Sequence, residues 1–304
     1  MSTNLIKINQ SRYGFLDFGA AKAESVVAGR TGYEKFIAEG RHGGMSYLER
    51  NIDKRFDPRL LVPGAESVLC FLAPYGRSGG GVAGFAQGVD YHKVVKDRLF
   101  AVIEDLKGQF PGFSGRPFVD SAPVLERYWA VKASLGFIGR NRLFISPRHG
   151  LRVIIGVIVC NIPSERFPPH APLEASSCGD CGACSAACPG GALGGALGGA
   201  KSEARGFDAR KCLSYHTIES REPLPGWMEG LSRWRFGCEE CMLSCPWDKP
   251  LDPLPEMETH RERIAQLADG GWAHLSPEAF AAEFGDSGLM RAGLDRLCGR
   301  GYTK

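Results

Sequence analysis

The sequence lacks the features of a membrane, secreted or polycationic protein. Its longest apolar run, Val153–Cys160, has eight residues, against about 20 for a helix that spans a bilayer. Its first residues, MSTNLIKINQ, carry no charged-then-apolar leader and no twin arginine. The expectation is therefore a cytoplasmic protein with no membrane contact. Charge of one sign is not in excess: 37 Lys and Arg stand against 34 Asp and Glu, a net +3. That permits a local basic patch and does not suit a dedicated nucleic-acid-binding tail. H-E-x-x-H is missing, and the glycine loop GRSGGGVAG matches G-x-S-x-G and G-x-G-x-x-G only by way of its run of glycines. A dinucleotide fold is thus weakly supported.

Cysteine is plentiful. Eleven occur, eight of them between Cys178 and Cys245. In a reducing compartment such clusters more often bind metal than form disulfides. The stretch Cys178–Pro189 reads CGDCGACSAACP, or C-x2-C-x2-C-x3-C-P. Three thiolates at that spacing wrap one iron–sulfur cube, and the fourth reaches a second cluster. A structural zinc site, the alternative, usually takes two separated pairs. A second group, Cys238, Cys241 and Cys245, is one cysteine short, and Cys212 between the groups makes up the number. Ferredoxin logic then gives two [4Fe–4S] clusters. Cys178, Cys181, Cys184 and Cys245 hold one, and Cys188, Cys212, Cys238 and Cys241 hold the other. Cys70 and Cys160 lie in apolar runs and read as small buried hydrophobes. Cys298 carries no reading.

A chain of 304 residues with 43% apolar content suits two domains. Residues 1–60 read as mostly helical, with candidates at Glu34–Gly40 and Met45–Lys54. Ser67–Ala73 reads as a buried strand. Tyr91–Lys107 places Val94, Val95, Leu99, Val102, Ile103 and Leu106 on one helical face. Pro117–Asp120 reads as a strand, Pro123–Leu135 as a helix, and Arg142–Ser146 with Leu151–Cys160 as a strand pair around Arg148-His149-Gly150. A linker follows over Asn161–Ser177. The cluster-bearing unit then starts at Cys178, interrupted by GGALGGALGGA at 190–200, which reads as a flexible insertion. Cys212 falls in a helix candidate, Arg205–Glu219, and Ser276 is a plausible N-cap for PEAFAAEF.

An electron wire needs something to feed, and FVDSAPVLER at 118–127 is the informative stretch. Asp120 at a strand end is either a general acid at a cleft mouth or the N-cap of the next helix. Tyr91-His92-Lys93 either reaches a ligand or merely starts a helix. Glu126 and Arg127 read as an ordinary solvated or paired face.

These motifs, with HGGMSYLERN at 42–51, DPRLLVPGAESV at 57–68, DYHKVVKDRL at 90–99, LGFIGRNRLFI at 135–145, DARKCLSYHTIE at 208–219 and GCEECMLSCPWDK at 237–249, follow one another in an order that resembles the epoxyqueuosine reductases. These are cobalamin-dependent iron–sulfur enzymes that complete queuosine on tRNA. The resemblance implies an α+β fold. It would have a nitroreductase-like, mixed α/β corrinoid and substrate domain over 1–165, a double [4Fe–4S] ferredoxin-like domain over 166–255, and a helical segment over 256–304. It implies base-off cobalamin between the domains, two [4Fe–4S] clusters delivering electrons to it, and Asp120 as proton donor. By motif position the cobalamin contacts would be Arg50, Asp120, Gly139, Arg140, Ser214, Thr217 and the Cys238–Cys241 loop with Glu239 and Glu240. The implied partners are a tRNA anticodon loop and a low-potential ferredoxin or flavodoxin, with the protein a monomer. Arg140, Arg142, Arg148, Arg152, Arg233 and Arg235 are candidate RNA-facing charges, or else ordinary solvated surface. The chain departs from the family pattern at Arg140, where a lysine is usual, at Val157, where a glutamate is common, and at the repeat. A small-molecule cobalamin reductase and a non-catalytic corrinoid-reducing carrier are the alternative functions.

Overall fold

The computed structural model describes residues 5–170, 177–194, 206–228 and 233–298. Part of the expected 161–177 linker and most of the glycine–alanine repeat lie outside these residues.

The core is a four-stranded antiparallel sheet. It consists of β1 (Asp17–Lys22), β2 (Ser67–Pro74), β3 (Gly115–Phe118) and β6 (Val153–Cys160), in the order β1-β2-β6-β3. The two central strands are apolar on both faces, and the period-2 alternation of side chains sends them to two cores. Leu69, Phe71, Ala73, Ile158 and Cys160 point to one core, where α3 (Tyr91–Gln109) lies. Val68, Cys70, Leu72, Val157 and Val159 point to the other, with Trp129, Ala130 and Ala133 on and just after α4 (Glu126–Lys132). The six apolar positions read for α3 are its buried residues, and its N-cap is Asp90, whose side chain accepts from the His92 N–H. Gly156 lets α3 approach β6, since a Cβ there would press on Val95 and Leu99.

Three sequence expectations are corrected. Residues 1–60 are not mostly helical: DFGAAK forms β1, paired from Asp17↔Leu72 to Lys22↔Ser67. Its small residues have weak strand propensity, and pairing with β2 makes it a strand. Met45–Lys54 is not one helix. Asn51 takes a left-handed conformation at φ 57, and α2 begins after it at Ile52–Phe56; α1 is Arg30–Ala38. Arg142–Ser146 does not pair with β6, because β2 and β3 occupy both edges of that strand. Its segment β5 (Phe144–Ile145) pairs instead with β4 (Phe137–Ile138), leaving one bridge, Ser146↔Gly150, where the hairpin was expected.

The cluster-bearing segment and the C-terminal helices pack onto this sheet. Met242, Leu254 and Met257 extend the α3-side core. A third core joins Ile264, Trp272, Phe280, Phe284 and Leu289 to Val82, Ala86 and Phe236. It is built by α7 (Arg261–Leu267) and α8 (Pro277–Phe284), the latter capped by Ser276 accepting from the Ala279 N–H. The glycine loop serves this packing: a Cβ on Gly84 would run into the Gly76 carbonyl. Among the described residues no helix is long and apolar enough to cross a membrane.

One buried ion cluster crosses the junction. Arg152 has no side-chain exposure and lies 2.8 Å from Glu239 Oε2 and 2.8 Å from Asp248 Oδ1. Glu239 Oε1 accepts from the Gly84 N–H at 2.6 Å. Arg152 therefore cannot face RNA, which overturns that reading of its charge. Arg152→Met would leave two buried carboxylates without their cation, at a cost of about 3–5 kcal/mol. The expected result is a Tm lower by roughly 10 °C in the cluster-loaded protein; an unchanged Tm would exclude a net stabilising role.

Candidate functional site

The cysteines fall into two gatherings. Cys178 and Cys181 sit on the loop into α5 (Ala183–Ala187), Cys184 lies on α5 itself, and Cys245 follows α6 (Glu240–Leu243). All four line one cavity of about 210 Å³, closed by Arg140, Asn141, Ile145, Ala183, Pro246 and Trp247. The Arg140 N–H points at Cys178 Sγ at 3.4 Å, and its guanidinium donates to the Gly179 carbonyl at 2.8 Å. An N–H aimed at a thiolate is the kind of contact that tunes a cluster's potential.

Cys188, Cys212, Cys238 and Cys241 form the other gathering. Burial pushes the Cys241 thiol up, and the charges of Cys238, Cys212 and Cys188 add to it. Burial also raises Cys238 to about 12, opposed by the Glu240 N–H and reinforced by Cys212. Such thiols ionise only when a metal takes the proton's place. Among the described residues no group of three Cys, His, Asp or Glu could hold a single metal ion. A four-iron cube is wider than one ion, and a roomy cavity ringed by four thiols fits it.

On the sheet, β3 ends at Phe118 and the chain turns through Asp120, which is left-handed at φ 49. Aspartate is among the residues that tolerate this region. Its side chain is 67% exposed. Tyr91 Oη donates to Asp120 Oδ2 at 2.6 Å, and burial followed by the Asp120 charge pushes the Tyr91 phenol far up, so it stays a donor. The Tyr91 ring stacks on His92, with centroids 4.1 Å apart. His92 Nε2 lies 4.0 Å from Asp120 Oδ2, and its Nδ1 is 2.7 Å from Asp90 Oδ1. Burial would raise the Asp90 carboxyl, but hydrogen bonds from His92 outweigh it and hold it low. So Tyr91-His92 both starts a helix and reaches a carboxylate. Asp120 is not the cap of α4, whose N-cap position is Leu125.

Distant segments meet beside Asp120. Burial raises the Tyr47 phenol to about 12, and Tyr47 also feels the charges of Glu219, Arg291 and Asp120. Arg291 pairs with Glu219 at 2.9 Å. Tyr215 Oη accepts from the Gly44 N–H at 2.7 Å, tying the 42–51 motif to the 208–219 motif.

The other expected cofactor contacts divide. Arg50 is exposed and Ser214 half-buried. Gly139 is buried against Ile145 and Asn141. The Thr217 hydroxyl donates to the Leu213 carbonyl at 2.9 Å and accepts from the Gly237 N–H at 3.0 Å. Glu239 is spent on Arg152 and Gly84. Those two side chains act inside the protein, so only the backbone they shape can meet a cofactor. Glu240 Oε1 accepts from the Trp234 ring N–H at 2.9 Å and pairs with Arg233. Arg148 lies 3.4 Å from Asp17, and Arg142, left-handed at φ 64, is exposed.

Sequence reasoning missed Glu126. It is half-buried, and its Oε1 is sealed from solvent. Burial, then the Asp120 charge, push its carboxyl up to about 8. The apolar Val124-Leu125 before it was the available signal. Which face it took depended on where α4 starts, and helix ends are poorly marked in sequence.

Comparison with known proteins finds relatives along most of the chain. A family model described as a 4Fe-4S double cluster binding domain matches residues 177–248, and one described as epoxyqueuosine reductase QueG, DUF1730, matches residues 55–121. The chain is 34% identical to the epoxyqueuosine reductase of Cyclobacterium marinum, over 95% of this chain and 92% of the relative. It is 31% identical to that of Pseudomonas aeruginosa, over 86% and 74%. A crystal structure of selenomethionine-labelled epoxyqueuosine reductase superposes with a TM-score of 0.80 at 26% identity, covering 95% of this chain and 77% of the other. An epoxyqueuosine reductase structure with an epoxyqueuosine-modified tRNA-Tyr stem loop gives a TM-score of 0.81 at 25% identity, covering 95% and 76%.

The two gatherings make separable claims about metal. If each gathering holds one four-iron cube, Cys245→Ser should cut the reconstituted protein from about eight irons to about four and leave the spectrum of the other cube in place. Loss of all iron, or of none, would break the assignment.

Proposed function

The chain belongs to the epoxyqueuosine reductase family, an iron–sulfur oxidoreductase family, and on that premise we propose that it reduces epoxyqueuosine to queuosine in the anticodon loop of tRNA. The observation that carries this reading is Asp120, an open carboxylate hydrogen-bonded by Tyr91, on a face where Tyr47, Glu219 and Arg291 converge. An open carboxylate beside cluster-bearing segments suits a reduction that also needs a proton.

Electrons would enter from a low-potential ferredoxin or flavodoxin and pass through two [4Fe–4S] clusters. Cys178, Cys181, Cys184 and Cys245 would hold one, and Cys188, Cys212, Cys238 and Cys241 the other. Exposed Tyr47, which feels the Asp120 charge, with exposed Arg50 and half-buried Ser214, would be the residues that meet a corrinoid. Together they offer donors and acceptors to its amide rim. Cobalamin, when bound, supplies a low-valent cobalt able to deliver electrons to the epoxide carbon. Asp120 gives its proton to the epoxide oxygen as a C–O bond breaks. Tyr91 holds Oδ2 by its hydroxyl, which leaves Oδ1 to face the substrate. Asp90 orients His92 against the same carboxyl.

The tRNA would be met by exposed cations, Arg142, Arg148 and Arg233 among them, with affinity falling as salt rises. A nucleotide in an anticodon loop is already nearly unstacked, so little energy is needed to present it. The protein would work as a monomer in the cytoplasm.

The test is Asp120→Asn, which keeps a side chain that tolerates φ 49. Turnover of a modified stem loop should fall by roughly 100-fold or more, with iron content and stem-loop affinity unchanged. Full turnover by the variant would remove Asp120 as the acid.

A further inference from the structure

Electrons must enter the protein where a cluster comes close to water. Tunnelling falls off steeply with distance, so a protein that delivers them has to dock over the cluster it reduces. The two cysteine gatherings differ in this respect. Cys181 is exposed, and Gly179, Asp180 and Gly182 on its loop are exposed with it. Cys188, Cys212, Cys238 and Cys241 are all half-buried, and the buried Leu213, Met228 and Trp234 pack beside Cys238. Cys212 also shares its segment with Tyr215, which binds the 42–51 motif, and with Glu219, whose charge reaches Tyr47. The open end of the path is therefore the Cys178 gathering. We propose that the hairpin tip beside it, with Arg127, Ile138 and Arg140, is the docking face for a small acidic protein that carries single electrons. The inference rests on the reading above that a low-potential protein donor feeds the clusters, and it says where that donor lands.

The tip is built for a fixed place beside the opening. β4 and β5 pair through Phe137↔Ile145 and Ile138↔Phe144, and residues 139–142 turn between them. The Arg142 N–H closes that turn on the Gly139 carbonyl at 2.9 Å, with Arg142 left-handed at φ 64. On one side the tip is fastened to the cysteines. The Arg140 N–H reaches Cys178 Sγ at 3.4 Å, its guanidinium donates to the Gly179 carbonyl at 2.8 Å, and Asn141 Nδ2 reaches the Cys241 carbonyl at 3.4 Å. On the other side Arg127, exposed in the first turn of α4, donates to the Arg142 carbonyl at 2.8 Å. Arg140 and Asn141 also line the cavity of the four thiols. Ile138 leaves 45% of its surface open on this hairpin, and exposed Pro246 lines the same cavity.

Charge selects the partner. A cube held by four thiolates is a net anion, and so is the centre of a reduced carrier, so the two repel. Arg127, Arg140 and Arg142 stand around the opening, against the exposed carboxylate of Asp180. They offset the repulsion and steer an acidic carrier into contact. An open apolar residue inside a charged rim suits the brief contacts of electron-transfer proteins, which bury less than about 1,200 Å². RNA is the other polyanion this face could meet, but Ile138 and the thiol opening offer nothing to a phosphate backbone. The step is a one-electron transfer: the carrier loses one electron, the cube gains it, and no bond is made or broken.

The test uses the cluster- and corrinoid-loaded protein, with flavodoxin, an acidic flavin protein, as the probe. Binding of oxidised flavodoxin, and cluster reduction by reduced flavodoxin, should both weaken as salt rises. Arg127→Glu, an acidic residue suited to the first turn of a helix, should weaken binding and slow cluster reduction about tenfold at low salt. Ile138→Thr, which stays β-branched on β4, should lower both by a smaller factor. Neither change should alter stem-loop affinity, or turnover driven by reduced methyl viologen, which is too small to need a docking face. Lys107→Glu, an equal charge reversal at an exposed place on α3, should leave flavodoxin binding as it was. Unchanged flavodoxin binding in Arg127→Glu, an equal loss in Lys107→Glu, or a wild type that flavodoxin neither binds nor reduces overturns the docking face. Loss of stem-loop affinity in Arg127→Glu gives the tip to RNA and overturns it too. A wild type that flavodoxin reduces through this face, but that leaves an epoxyqueuosine-modified stem loop unchanged, overturns the functional reading and leaves the docking face standing.

Discussion

A guanidinium with no access to water holds the molecule in register. Arg152 lies immediately before β6, and its two carboxylate partners, Glu239 and Asp248, bracket Cys241 and Cys245. Taking these charges out of water costs several kcal/mol per ion, and their attraction recovers it only in good geometry. Here Arg152 donates to Glu239 Oε2 at 2.8 Å and to Asp248 Oδ2 at 3.0 Å, and Glu239 also accepts from the Gly84 N–H. Apolar packing alone would let the cluster segment slide on the sheet. Charges that must meet leave one position. That position presents Cys245 to the cavity of Cys178, Cys181 and Cys184.

The Asp120 face depends on the same strand. β6 pairs β3 through Phe118↔Val157, and β3 releases the chain into the turn that carries Asp120. α3, packed over β6 by way of Gly156, begins at Tyr91 and so places the phenol on that carboxylate. Behind the turn, α4 lies against the opposite core, and the Oε1 of its first residue, Glu126, is sealed from solvent. One sheet thus sets two carboxyls in different surroundings: an open one at its rim and a half-buried one against its face. Their different surroundings separate them, as with other paired carboxyls.

Much of this was legible in the residues. The apolar positions of α3 repeat at helical spacing, and burial follows the pattern because a helix has one inward face. β2 is apolar throughout, as a strand covered on both faces must be. Thiol spacing is local chemistry, so the two groups of cysteines and the need for Cys212 could be counted. Less legible were features that only a neighbour creates. DFGAAK is a strand because β2 lies beside it. The break at Asn51 is one left-handed residue within a helical-looking run. Arg152 and Glu126 read as surface charges, and nothing nearby in sequence says that the first is buried and the second has a sealed oxygen.

What the sequence determined by itself is therefore the inventory: a chain rich in clustered thiols, an acid in a short loop after a strand, and a helix and strand built to be covered. Spacing and periodicity determine these because they act over a few residues. Tertiary structure alone decided which far segments meet. It brought Cys245 to the first cysteine loop, Tyr91 to Asp120, and Arg152 to carboxylates 87 and 96 residues away. It also decided which charges lose their water, Arg152 above all, and it sealed one oxygen of an ordinary-looking Glu126, which pushes that carboxyl up.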